Sequence, residues 1–72
     1  MKTNYQLQAS FDTIRTGKTY RLSNYGEKIE FEVLEIMPEY DCKIRSLDTL
    51  ETFMLSDLVK YGVSEDYQFL EI

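Results

Sequence analysis

The residue types that could carry chemistry in this chain are few. There is one thiol, Cys42, and no histidine to activate it. Carboxylates lie close together at Glu30 and Glu32 and at Glu39 and Asp41, the spacing from which paired acid–base groups or a metal ligand set could be built. Neither pair fits those roles. Glu30 and Glu32 alternate along an extended segment, where both face solvent and nothing drives their pKa values apart. No Ser or Cys stands in a nucleophile motif, and Gly17, Gly26 and Gly62 are too dispersed for a phosphate-cradling loop. Cys42 alternates with Ile44 toward the interior, so it reads as a small buried hydrophobe. The expectation is a protein that is not an enzyme, with no metal and no cofactor.

Six tyrosines are the second group with chemical use. Tyr20 reads as core. Tyr25 and Tyr40 fall at turns, and Tyr61 and Tyr67 bracket a third. Amphipathic rings at such places serve interfaces or cap the open ends of a small sheet. Base stacking is possible in form. The net charge of −5, from thirteen acids and eight bases, opposes phosphate binding, which draws its affinity from cationic contacts. That charge is unevenly placed, at +3 over residues 1–26 and −8 over residues 27–72. Lys2, Arg15, Lys18 and Arg21 are spread too thinly for a dense basic patch.

The elements that must position these groups follow from period-two alternation. Centring a hairpin on Tyr25-Gly26 sets Leu22 opposite Ile29, Tyr20 opposite Phe31 and Arg21 opposite Glu30. Apolar pairs then share one face and opposite charges the other, and a slip of one residue destroys all three matches. A second turn at Asp48-Thr49 sets Ile44 opposite Phe53 and Cys42 opposite Leu55. Between the hairpins, Val33 can pair with Cys42 or with Ile44, and either choice brings Glu32 to a cation, Lys43 or Arg45. The apolar positions of strand two change face between Val33 and Leu34, which suits a bulge or a sharp bend. Ser56 or Asp57 is placed to cap a single turn of helix or 3-10 helix that Gly62 stops. Tyr67–Ile72 then reads as a last strand.

The predicted fold is mainly β, with five strands, one helical turn before the last and a short N-terminal segment. That order, with the segments Gly17-Lys18-Thr19-Tyr20-Arg21-Leu22, Phe31-Glu32-Val33-Leu34 and Leu55-Ser56-Asp57-Leu58-Val59-Lys60-Tyr61-Gly62, resembles SH3-like small β-barrels, and in particular short uncharacterised bacterial proteins of that shape. The resemblance spans about residues 15–72 and implies a barrel domain there, with residues 1–14 packing on it. It implies a binding module rather than a catalyst. Peptide-binding SH3 domains carry an Ala-Leu-Tyr-Asp-Tyr-like segment and a groove tryptophan, and this chain has neither, so proline-rich peptides are not the expected ligand.

In these registers Leu34, Leu47, Leu50 and Met54 share the outer face with Glu32, Lys43 and Arg45. Such a strip needs a cover. Residues 5–14 are one candidate, since Leu7, Phe11 and Ile14 have helical spacing while Tyr5, Leu7, Ala9 and Phe11 alternate as a strand. A partner protein or a second copy is the other. The expected function is protein–protein contact or an accessory role, through Leu34, Leu47, Leu50, Met54, Tyr25 and Tyr40. The alternative is a nucleic-acid or ribosome-associated module of KOW or Tudor-like type using Tyr25, Tyr40, Arg15, Lys18 and Arg21, which the acidic balance disfavours. No apolar run approaches the roughly 20 residues of a membrane span. A lone cysteine and an N-terminus without a signal-like apolar run point to the cytoplasm.

Overall fold

The computed structural model describes residues 13–72. Within them lie β1 (Thr19–Asn24), β2 (Glu27–Met37), β3 (Asp41–Ser46), β4 (Thr52–Met54), a 3-10 helix (Leu55–Val59) and β5 (Gln68–Glu71). The described strands form one antiparallel sheet in the order β4-β3-β2-β1-β5.

The first hairpin has the register that its side chains select. Leu22 faces Ile29, Tyr20 faces Phe31 and Arg21 faces Glu30. Its two-residue turn has positive φ at both Tyr25 (52°) and Gly26 (78°), the twist that matches two right-handed strands. Gly26 accepts this without strain, whereas Tyr25 does not. Between β2 and β3 the register is Val33 with Ile44, which sends Glu32 to Arg45 rather than Lys43. The ladder then shifts by one residue at Leu34, so that Glu35 pairs with Lys43 and Ile36 with Cys42. This bulge turns the alternation over and sets Ile36 opposite the buried Cys42, although Ile36 itself stays 41% exposed.

The β3–β4 turn is centred where the alternation places it, with Ile44 opposite Phe53. The expected pairing of Cys42 with Leu55 does not form. The ladder ends at Lys43 and Met54, and Leu55 already belongs to the 3-10 helix. Asp41 draws the chain off the sheet here, its carboxylate accepting the Ser56 N–H (3.0 Å) and hydroxyl (2.7 Å). Ser56 and Asp57 lie inside the helix rather than at its cap, and Asp57 reaches back to accept the Met54 N–H at 3.2 Å. Gly62, at φ 100°, ends the turn with its N–H on the Val59 carbonyl.

The inward face holds Ile14, Tyr20, Leu22, Phe31, Val33, Cys42, Ile44 and Phe69. The rings of Tyr20, Phe31 and Phe69 stand 5.6–6.1 Å apart, centre to centre. The Tyr20 hydroxyl is satisfied without leaving the core, accepting the Arg15 N–H at 2.9 Å. On the outer face Arg21 pairs with Glu30 and Arg45 with Glu32, both at 2.9 Å, and Arg15 lies 3.5 Å from Glu71. The sheet curls around the core but is not closed, because among the described residues β4 and β5 are its two edges and do not pair. Closure fails where β4 stops after three residues and the 3-10 helix takes over, with Leu55, Leu58 and Val59 packing on the core. Of the N-terminal stripe, Ile14 enters the core. Residues 5–12 lie outside the described residues. No described helix is long and apolar enough to cross a membrane.

Candidate functional site

The six residues expected to carry contacts do not come together in one place. Tyr25 is at the β1–β2 tip and Tyr40 in the β2–β3 turn, so the eleven residues of β2 separate them. Leu34 sits in the bulge, level with the rung that joins Lys43 to Met54, so Leu34 and Met54 flank Lys43 on the outer face. Leu47 and Leu50 are at the other end of β3, in its turn to β4, beyond the rung of Arg45 and Thr52. The apolar strip is thus interrupted into a half-buried pair and an exposed turn.

That turn is firmly built. Leu47 donates its N–H to the Glu30 carbonyl (2.8 Å), and Leu50 donates to the Ser46 carbonyl (2.9 Å). The buried Ser46 hydroxyl accepts the N–H groups of Asp48 and Thr49, each at 3.2 Å. Leu50 stands at φ 66°, a left-handed conformation that a leucine adopts only at a cost of about 1–2 kcal/mol. Its side chain is nonetheless 67% exposed, and that of Leu47 43%.

The alternation offered no sign of the polar cluster that ties the first hairpin to the far end of the chain. Buried Asn24 donates to the carbonyls of Leu58 (3.3 Å) and Gly62 (3.0 Å) and accepts the Ser64 N–H (2.8 Å). The Ser64 hydroxyl accepts the Tyr25 N–H (2.8 Å) and lies within hydrogen-bond reach of Asp66, whose carboxylate also takes the Gly26 N–H at 2.9 Å. Tyr25 completes it with a longer bond to the Tyr61 carbonyl, at 3.4 Å. The Ser64 hydroxyl and the backbone donors hold the Asp66 carboxyl below its ordinary value. The only sequence signal was an asparagine immediately before a turn with a Ser-x-Asp segment forty residues later.

The thiol is buried, and Glu30, Glu32 and Asp41 are each engaged by neighbouring groups. Burial, reinforced by the neighbouring Asp41 charge, pushes the Cys42 thiol up to about 11, away from reactivity. Burial also opposes ionisation of Asp41, but the Ser56 hydroxyl and the N–H groups of Ser56 and Cys42 outweigh it and lower its pKa. Glu30 and Glu32 are held in ion pairs. Among the described residues no group of three or more His, Cys, Asp or Glu is placed to hold a metal ion.

An open cleft of about 650 Å³ lies where the two hairpins diverge. Ile29, Leu47 and Phe53 supply its apolar surface, with Glu27, Asp48 and Glu51 around them. A smaller hollow of about 160 Å³ adjoins it through Ile29 and contains Leu22 and Leu58. Comparison with known protein families, with curated proteins and with solved structures gives no match in any of the three.

Proposed function

We propose that this chain is a small SH3-like module that acts by protein–protein contact, as a self-associating or accessory domain. The strand order and the 3-10 turn before the last strand support the SH3-like reading. The observation that carries the interaction reading is Leu50. A large apolar side chain is held out to solvent on a strained, hydrogen-bonded turn, beside a second exposed leucine. Backbone strain of this kind clusters where a surface has work to do. The placement of the aromatic and basic residues favours this over nucleic acid, since Tyr25 and Tyr40 are at opposite ends of β2 while Arg15 and Arg21 are engaged with Glu71 and Glu30.

Sedimentation velocity up to about 1 mM and capture on immobilised chain test the reading together. Association with itself or with a captured protein should weaken at least about tenfold in Leu50→Asp, the effect of removing a central apolar contact. A strict monomer that retains no protein in a Leu50-dependent way overturns it. Retention of RNA, with affinity falling steeply as salt rises, would do the same.

A further inference from the structure

We propose that the cleft between the two hairpins takes an extended, basic peptide segment of a partner protein, added as a short strand to the free edge of β2. This rests on reading the chain as an interaction module and uses the cleft side of the same β3–β4 turn, whose lining includes Leu47 but not Leu50.

The edge is defined by the ladder. Pairing of β2 with β3 begins at Phe31, opposite Ser46, whereas β2 itself begins at Glu27. Val33 exchanges bonds on the β1 side, accepting the Gly17 N–H and donating to the Lys18 carbonyl. Strand alternation therefore turns the N–H and C=O groups of Lys28 and Glu30 the other way, toward the cleft. The Glu30 carbonyl is taken by Leu47, which is the last bond before the hairpins part. Beyond it no described strand stands opposite Lys28, and the Lys28 N–H and C=O and the Glu30 N–H line the cleft as an open ladder. The edge from Glu27 to Glu30 is about 10 Å long. A cleft of about 650 Å³ has room for a strand of that length.

An added strand uses backbone bonds for affinity and alternate side chains for specificity. Toward the core side it meets Ile29 and Phe53, both half-buried, which suit β-branched apolar side chains. The charge around the cleft selects the rest. Four carboxylates, Glu27, Glu30, Asp48 and Glu51, stand against one lysine, Lys28, and among the described residues only Glu30 of the four is in an ion pair. Lysine or arginine alternating with β-branched residues complements both features. An acidic segment or a phosphate backbone would be repelled.

The probe is a fluorescent eight-residue peptide alternating lysine with valine, titrated into the full chain at low salt. It is compared with a glutamate-for-lysine peptide and with a lysine–valine peptide N-methylated at alternate residues, which keeps its charge but cannot pair on one edge. Amide shifts in the labelled chain report the location. The lysine peptide should bind and shift Lys28, Ile29, Glu30 and Leu47. The N-methylated and glutamate peptides should each bind at least about tenfold more weakly, and the double variant Asp48→Lys/Glu51→Lys should lose a similar factor. Absence of binding, shifts centred elsewhere or equal binding of the N-methylated peptide overturns the proposal. So does contact between residues 1–12 and the Lys28–Glu30 edge that the peptide fails to displace. Leu50-dependent association measured separately would survive any of these outcomes, so the two readings fail independently.

Discussion

At the scale of single residues, several polar side chains join segments that are distant in the chain. Asn24 is the clearest case. Its amide satisfies two carbonyls and one N–H of the 58–64 segment while almost wholly buried. Replacing it by alanine leaves those backbone groups without partners, at a cost of about 2 kcal/mol. Urea unfolding of Asn24→Ala should show a lower midpoint at unchanged slope, while Tyr25→Phe, which removes only the 3.4 Å bond, should stay near the parent. Cys42 was readable as core because it alternates with Ile44, and its raised thiol pKa agrees. Asn24 was not readable in this way, because its partners lie about forty residues away and no local period marks them.

At the scale of elements, local rules explain the hairpins and fail at the joins. The rungs of Tyr20 with Phe31 and Ile44 with Phe53 follow from alternation and turn chemistry, both short-range. The bulge at Leu34 was legible from the change of face between Val33 and Leu34, although it leaves Ile36 exposed. The end of β4 was not, because Asp41 competes for the chain from fifteen residues upstream. This joint between β3 and the 3-10 helix has a pH signature. The Asp41 pKa is lowered in the fold, so its contribution is complete above the ordinary value of 3.8 and is lost as pH falls below that value through the folded pKa. Asp41→Asn should destabilise the chain by about 1 kcal/mol at neutral pH and flatten the acid limb of stability against pH. Chemical denaturation at a series of pH values measures both.

At the scale of the whole molecule, one small core carries the fold. Phe31 is fully buried and touches both Tyr20 and Phe69. Phe31→Ala should cost about 3–5 kcal/mol, which equals what a core of this size supplies, about 3–5 kcal/mol. The expected outcome is loss of the cooperative thermal transition in circular dichroism, with a conservative Phe31→Leu variant keeping it. The same small size leaves the sheet open. With β4 only three residues long, there is too little strand to meet β5, and leucines of the 3-10 helix cover the gap.

The pattern of residues by itself determined the strands, their faces, the first and last hairpin registers and the pairing of Arg21 with Glu30, because each depends on neighbours a few positions away along a period of two. It also narrowed the middle register to two, and only the assembled sheet chose Val33 with Ile44. Tertiary structure alone decided the open sheet, the Asn24 junction and the cleft beside Lys28. Each arises where two hairpins and a returning segment meet, and that meeting depends on side chains distant in the chain whose contacts leave no periodic trace.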